Sequence, residues 1–212
     1  MPHAEISRSK EPIRLFESDV LEFFTHISPV VVLILWLPVV VIALVAAVNR
    51  RPAGASLLYA PAGFLIGLFA WTFLEYTLHR FVFHFRPRTP WQERASFLFH
   101  GVHHAQPMCK TRLVMPPAIS ISGALALYGI LHLLVGVLLG APHWMLAIYA
   151  GIGAGYLTYD MLHYSTHHFR FKWRVWQFLR RHHMRHHAQT PDRRFGVSSP
   201  LWDYVFGTMP TG

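Results

Sequence analysis

The first long apolar run of the chain limits its fold more than any other feature. Residues 27 to 48, ISPVVVLILWLPVVVIALVAAV, contain no charged side chain. A run of about 20 apolar residues is the length that an α-helix needs to cross the hydrocarbon core of a bilayer. Because lipid offers no hydrogen-bond partners to the backbone, a segment in that core must be helical. We therefore predict a transmembrane helix here.

Three later runs have the same apolar character. We expect them to span the membrane at about 53–78, 117–139 and 144–162, with the short turn GAPHW joining the last two as a hairpin. A mean hydropathy of +0.31 and 53% hydrophobic residues agree with this interpretation. The first run is too long for the core of a cleavable signal peptide. The predicted fold class is an all-α integral membrane protein with four transmembrane helices.

Positive charge is distributed unevenly between these runs. Of the 19 Lys and Arg residues, three precede the first run, six lie between the second and third, and eight follow the fourth. The positive-inside rule places these basic segments, and with them both termini, on the cytoplasmic side. The membrane topology therefore accounts for the net charge of +9, so the charge is no argument for a nucleic-acid partner. It also suits contact with anionic lipid head groups.

Histidine is the second unusual feature, with 16 residues against ten Asp and Glu. Most of the histidines fall in four clusters on the expected cytoplasmic side: HRFVFH at 79–84, HGVHH at 100–104, HYSTHH at 163–168 and RRHHMRHH at 180–187. On a helix, positions i, i+3 and i+4 share a face, so HGVHH and HHMRHH should each present three imidazoles to one point. This repeated spacing favours metal ligation over a solvated basic surface.

The ligand type limits the choice of metal. Imidazole suits zinc, copper, iron and nickel. A closed structural zinc site takes four ligands, fewer than these spacings bring together, so we predict two metal ions. The single cysteine, Cys109, excludes a disulfide framework and a zinc ribbon. We expect iron with O2 as co-substrate, because zinc, which could occupy the site in a preparation, has no redox chemistry.

The order of the histidines, together with WTFLEYTLHRFVFH, HGVHHAQP, RLVMPP, YDMLHY and FGVSSPLWDYVFGT, closely resembles the fatty acid 2-hydroxylase branch of the membrane fatty acid hydroxylase and sterol desaturase superfamily. The resemblance covers about residues 71–208. It implies a cytosolic segment at 1–26 and a hydroxylase domain at 27–212, whose cytosolic helical cap is formed by 79–116 and 163–212. The metal ligands that it implies are His79, His84, His100, His103, His104, His163, His167, His183, His186 and His187.

The resemblance also implies an activity. It predicts a membrane non-haem di-iron monooxygenase that hydroxylates a fatty acyl chain at C-2. Eukaryotic members carry a cytochrome b5 domain with a His-Pro-Gly-Gly haem motif, and residues 1–26 hold no such motif. We therefore expect a stand-alone form with an external electron donor, such as a cytochrome b5-like protein, a ferredoxin or a reductase. This favours the bacterial inner membrane, with the endoplasmic reticulum as the eukaryotic alternative.

Two acidic residues are candidates for orienting the ligand imidazoles. Glu75 lies one turn before His79, and Asp160 lies three residues before His163. A carboxylate inside a membrane span is costly unless it is paired, and carboxylates commonly orient metal-bound histidines. The alternative for Glu75 is an interfacial acid that reaches towards water, and the alternative for Asp160 is an arginine partner.

Other polar residues are given supporting roles. We expect His168 and His182 to be surface or supporting residues, His132 to pack within the third span, and Asp203 to tie the C-terminal segment to the cap. The small residues of 151–155 predict close helix packing.

Two other functions fit parts of the pattern. A sterol or carotenoid hydroxylase or desaturase of the same superfamily would use the same centre, although HRFVFH and RLVMPP favour a fatty acyl substrate. A membrane zinc-binding or transport protein would need polar ligands at mid-bilayer, whereas nearly all these histidines lie at one face. The lipid that carries the acyl chain stays open among a free acid, a ceramide, an ornithine lipid and a phospholipid.

Overall fold

The computed structural model describes residues 11–210, and every regular element in this range is helical. The predicted all-α class is therefore confirmed for the described residues. The elements are α1 (Asp19–Phe23), α2 (Pro29–Asn49), α3 (Tyr59–Thr77), α4 (Pro90–Ser96), α5 (Val102–Ala105), α6 (Pro117–Leu131), α7 (Pro142–His168), α8 (Arg174–Ala188) and α9 (Leu201–Val205). Three π-helical segments directly follow α3, α4 and α6, at Leu78–Phe83, Phe97–Gly101 and His132–Leu138.

Three helical stretches in residues 11–210 are long and apolar enough to cross a membrane. They are Pro29–Asn49, Tyr59–Phe83 and Pro117–Leu138, which correspond to the first three predicted spans. The fourth predicted span, 144–162, lies within helix α7 but is not among them, because glycines, tyrosines and terminal histidines lower the hydropathy of that helix. The chain is thus an integral membrane protein by the length and composition of its helices, and the four-span topology with a cytosolic cap stays a prediction.

Helix α3 begins later than the sequence suggested. We expected the second span to start near residue 53, but residues 51–58 form turns and the helix starts at Tyr59. Pro52 has no N–H to donate, and Gly54 adopts a φ of +80°, a conformation that side chains other than glycine rarely take. These two residues keep this apolar stretch out of the helix.

The chain divides into two compact units. The apolar unit comprises residues 30–71 and 115–158. The histidine unit comprises the described residues of the remaining segments, 11–29, 72–114 and 159–210.

Within the apolar unit, α3 and α7 approach so closely that side chains are excluded between them. A Cβ added to Gly151 would lie 2.1 Å from the carbonyl oxygen of Phe64, and one added to Gly67 would lie 2.1 Å from that of Ile148. A Cβ at Gly155 would meet the side chain of Trp71 at 2.5 Å. The close packing predicted for residues 151–155 is therefore confirmed, and van der Waals contact between backbones takes the place of side-chain burial.

In the histidine unit, one carboxylate fixes the N-terminal segment. Glu22 of helix α1 accepts hydrogen bonds from the backbone N–H groups of Leu15, at 2.9 Å, and Phe16, at 3.0 Å. The same carboxylate pairs with the buried guanidinium of Arg112. Next to it, the ring of His26 contacts Thr111 at 2.7 Å. Residues 11–27 are thereby held against the segment that follows α5.

The glycine contact in the apolar unit leads to a stability prediction. We expect Gly151→Ala to lower the free energy of unfolding by about 1–3 kcal/mol, because its methyl group would overlap a backbone carbonyl that can move only if the helices separate. The measurement is the melting temperature of the purified protein in detergent.

Gly123→Ala in helix α6 is the matched control for this substitution. Apart from its chain neighbours and the adjacent backbone of its own helix, no atom of the described residues lies within 4 Å of a Cβ added at Gly123, so this variant should melt at or slightly above the wild-type temperature. Equal melting temperatures for the two variants would contradict the close contact between α3 and α7.

Candidate metal centre

The first two histidines of the centre are brought together by a π-helical turn. On an α-helix, residues five apart point about 140° away from each other around the axis. In the segment Leu78–Phe83 the backbone instead closes a wider turn, in which the N–H of His84 bonds the carbonyl oxygen of His79 at 3.0 Å. The two rings then lie 5.0 Å apart between centroids. The H-x4-H spacing therefore depends on a π turn, a feature that is frequent at functional sites and that the residue pattern alone does not indicate.

Five histidines form the first group of converging nitrogens, called group 1. Their ligand atoms all lie within 4.8 Å of one another. The Nε2 atom of His100 lies 3.1 Å from that of His79 and 3.0 Å from that of His104, and the Nε2 atoms of His84 and His186 are 3.1 Å apart. The members of group 1 are His79, His84, His100, His104 and His186.

The other five predicted ligands form group 2, in which every ring is buried. The Nε2 atom of His103 lies 2.9 Å from that of His163 and 3.0 Å from that of His187. The Nε2 atom of His183 lies 2.9 Å from that of His167 and 3.1 Å from that of His187. The members of group 2 are His103, His163, His167, His183 and His187.

The structure thus brings together all ten predicted ligands, but it corrects how they are shared. We expected each i, i+3, i+4 triplet to meet at one point. Instead, His100 and His104 belong to group 1, whereas His103 belongs to group 2. On helix α8, His186 belongs to group 1, whereas His183 and His187 belong to group 2. Successive residues on an α-helix point about 100° apart, so the i+3 and i+4 side chains diverge enough to reach two places. The two groups are adjacent, since the rings of His104 and His187 stack at 4.1 Å.

Backbone carbonyls fix the tautomers of two rings in group 1. His79 donates its Nδ1–H to the carbonyl oxygen of Phe195 at 2.5 Å, and His186 donates its Nδ1–H to that of Arg193 at 2.6 Å. With the proton on Nδ1, the lone pair of each ring is on Nε2, the atom that faces the other histidines. Such a bond from the outer ring nitrogen is the usual way in which proteins orient a metal-binding histidine.

The imidazoles are also held in the neutral form that binds metals. Burial, followed by repulsion from neighbouring imidazoles, lowers the pKa of His84 to about 2. Burial lowers the pKa of His186 to about 4, although its bond to the Arg193 carbonyl acts in the opposite direction. In group 2, burial and the neighbouring rings lower the pKa values of His103 and His183 well below the usual range. Near neutral pH each of these rings is therefore uncharged and keeps one nitrogen with a free lone pair.

This donor set fits two transition-metal ions. A neutral imidazole has one N–H and one lone pair, so five Nε2 atoms that converge on one point, with neighbours at 2.9–3.1 Å, cannot all satisfy one another by hydrogen bonding. A cation between them would bind the lone pairs that stay unpaired. Both groups consist of imidazole alone, a set that suits zinc, iron, copper or nickel rather than calcium or magnesium.

Glu75 acts on the loop that contacts His79. It is buried, and its carboxylate accepts hydrogen bonds from the N–H groups of Val197, at 2.5 Å, and Ser198, at 2.8 Å, and from the Ser198 hydroxyl. These donors lie two and three residues after Phe195, whose carbonyl meets His79. Glu75 is therefore buried and bonded to protein donors, unlike an interfacial acid that reaches towards water.

Asp203 accepts more hydrogen bonds than a residue that only links the C-terminal segment to the cap would need. It is fully buried and accepts from the N–H groups of Phe195 and Gly196, both at 2.8 Å, and from the Thr208 hydroxyl at 2.7 Å. His182 contacts the same carboxylate at 3.1 Å. Burial raises the pKa of Asp203, but these hydrogen bonds outweigh it and lower the pKa, so that the group is ionised.

The other polar residues lie outside the two groups. Asp160 is buried one turn before His163 in helix α7. His182 is buried beside Asp203, so it is not a surface residue. His168 is partly exposed. His132 begins the π segment after α6 and stacks on Tyr128 at 6.0 Å.

Comparison with known proteins identifies the family. Residues 64–208 match the fatty acid hydroxylase family. The chain is 39% identical to a dihydroceramide fatty acyl 2-hydroxylase of Arabidopsis thaliana over 96% of this chain and 82% of that protein. It is 36% identical to a ceramide very long chain fatty acid hydroxylase of Schizosaccharomyces pombe, over 82% of this chain and 49% of that protein. The chain is 33% identical to a fatty acid 2-hydroxylase of Mus musculus over 98% of this chain and 58% of that protein.

A solved structure shows the same fold. Full-length scs7p, in which only the hydroxylase domain is visible, matches with a TM-score of 0.83 and 36% identity over 91% of this chain and 70% of that chain. The three relatives named above are eukaryotic and do not support the expected bacterial membrane. Their names support a hydroxylating enzyme that acts on acyl lipids. The chain therefore belongs to the fatty acid hydroxylase family.

Proposed function

We propose that this protein is an O2-dependent fatty acyl 2-hydroxylase in which group 1 and group 2 each hold one iron ion. The observation that carries the proposal is the sorting of ten buried or partly buried imidazoles into two adjacent sets of five nitrogens. The C-2 position follows the names of the relatives, two of which are 2-hydroxylases. An acyl lipid of the ceramide class is the proposed substrate, since the Arabidopsis and fission-yeast relatives are named for such lipids.

Hydroxylation at C-2 replaces a C–H bond with a C–O bond, a two-electron oxidation that acid–base chemistry of side chains alone cannot perform. When bound, the metal pair would supply the redox chemistry that this step requires. In the overall reaction one oxygen atom of O2 enters the C–H bond and the other leaves as water. Two electrons and two protons are consumed, and the electrons come from a separate donor, a cytochrome b5-like protein, a ferredoxin or a reductase.

The protein's own residues supply ligands, orientation and exclusion of water. Carbonyl oxygens orient His79 and His186, and burial keeps the rings neutral. Only His84 and His104 of the ten are partly exposed, and both belong to group 1. We therefore expect O2 and the acyl chain to approach from the side of group 1.

Selection of C-2 must come from the polar end of the substrate. Successive methylene groups of an acyl tail are nearly identical, and an apolar site separates substrates that differ by one methylene by only about 1–3 kcal/mol. Contacts to the carboxyl or amide group are what define C-2. The three apolar helices and the eukaryotic relatives support an endoplasmic reticulum membrane as the place where the lipid is met.

The metal-transport alternative fits the structure less well. A transporter needs ligands along a path through the bilayer. Of the ten grouped histidines, only His79 lies within a candidate membrane-spanning stretch, and it is four residues before the end of that stretch at Phe83. The relatives named above act on fatty acyl lipids, which also argues against a sterol or carotenoid substrate.

Product analysis tests the reaction itself. Expression in a eukaryotic host that lacks its own 2-hydroxylase should restore 2-hydroxy acyl ceramides. Under ¹⁸O2 the new hydroxyl should carry the label, and mass spectrometry of the acyl chains gives both position and label. A hydroxyl at another carbon, a desaturated chain or an unlabelled hydroxyl would contradict the proposal.

Removal of one ligand tests the metal pair. His163→Ala should lower the metal content from two ions per chain to about one and reduce hydroxylation by at least about 100-fold, because group 2 loses a nitrogen. Elemental analysis of the purified protein and the ratio of hydroxylated to unmodified acyl chains are the measurements.

His168→Ala is the matched control for that change. It removes an imidazole from the same helix, next to His167, but from neither group. Metal content and activity should therefore stay at the wild-type level. A control variant that lost metal as His163→Ala does would show that the grouped histidines have no special role.

A further inference from the structure

The loop between α8 and α9 contacts the outer side of group 1. We call residues 193–198 the strap. Its carbonyl oxygens at Arg193 and Phe195 accept the Nδ1–H groups of His186 and His79, which come from two different elements of the histidine unit. A short stretch of backbone thus sets the tautomer and the ring orientation of two of the five nitrogens in group 1.

Two buried carboxylates hold the strap in place. Asp203 accepts from the N–H groups of Phe195 and Gly196, and Glu75 accepts from those of Val197 and Ser198. Four consecutive backbone donors therefore end on two charged acceptors, which make stronger hydrogen bonds than neutral ones. The strap is tightly folded, because a Cβ added to Gly196 would lie 2.0 Å from the Ser199 carbonyl oxygen.

Group 2 has less support of this kind in the part of the chain that the structure describes, where a backbone hydrogen bond with Leu113 reaches His163 alone among its rings. Among residues 11–210, the buried Nδ1 atoms of His103, His167, His183 and His187 find no hydrogen-bond partner. Their rings are oriented by packing against one another, with His167 and His183 at 4.9 Å between centroids. A change in the strap therefore acts on group 1 directly and reaches group 2 only through the adjacent rings.

We propose that Glu75 and Asp203 are positioning residues for group 1: through the strap they orient His79 and His186, and they set the metal affinity of group 1 without setting that of group 2. Neither carboxylate needs to touch the metal. Asp203 also contacts His182, one turn before His186 on helix α8, so the strap and that helix share one acceptor. This inference rests on the metal pair of the proposed function.

Metal content after mild chelation is the test. The purified full chain is loaded with zinc and dialysed against a chelator at a concentration that leaves both ions on the wild type. Glu75→Ala should then retain about one ion per chain, because loss of an orienting contact weakens a metal site by about 10–100-fold. Glu75→Gln, whose amide oxygen can still accept from Val197 and Ser198, should retain more than Glu75→Ala.

Glu22→Ala is the matched control for loss of a loop-holding carboxylate. Glu22 also accepts two backbone N–H groups, those of Leu15 and Phe16, which are not part of the strap. This variant should lose stability and keep both ions. A melting temperature recorded for each variant separates general destabilisation from selective release of metal.

Combined substitutions identify which ion is lost. In a His163→Ala background, where group 2 is already impaired, Glu75→Ala should bring the metal content close to zero. In a His84→Ala background, where group 1 is already impaired, Glu75→Ala should change it little. Asp203→Asn should follow the same pattern, and together with Glu75→Gln it carries the test if Glu75→Ala does not fold.

Three results would overturn the inference. They are parallel loss of both ions from Glu75→Ala, retention of both ions by Glu75→Ala and Asp203→Asn, and an equal loss of metal from Glu22→Ala. A wild-type protein that binds fewer than two zinc ions would instead contradict the proposed metal pair, so the two failures can be distinguished.

Discussion

Crowding of neutral imidazoles away from water is the constraint on which the rest of the histidine unit depends. Five ring nitrogens converge in each group, with neighbours at 2.9–3.1 Å, and neutral rings cannot all pair with one another by hydrogen bonds. Protonation would supply more donors only by placing charges in a buried site, which burial disfavours. A divalent cation at each group would resolve both problems, so the donor set favours metal binding.

The two units satisfy different physical requirements. In the apolar unit, where burial of apolar surface gives little advantage over lipid, α3 and α7 approach through Gly67 and Gly151 until their backbones touch. In the histidine unit, charged acceptors such as Glu75 and Asp203 organise the loops through backbone N–H groups. A substitution with small effect in one unit can be severe in the other for this reason.

Much of the centre could be predicted from the sequence, because metal ligands recur at intervals that reflect helix geometry. The helical class, three apolar spans and the ten histidines that converge were all visible in the sequence. The division of each triplet between two groups was not, since i+3 and i+4 spacing is compatible with one focus or two. The strap could not be predicted for a different reason. Its contribution comes from the backbone carbonyls of Arg193 and Phe195, and every residue type has such a carbonyl.

The wide turn at His79–His84 has a consequence for how this segment can vary. Its hydrogen bond joins residues five apart, so the turn holds one residue more than an ordinary helical turn. Deleting any residue between the two histidines would restore the standard helical repeat and would also shift every later residue of the segment relative to α3. The length of this stretch is therefore under stricter constraint than its composition, and Phe81 and Val82, whose side chains are exposed, should accept many replacements but no omission.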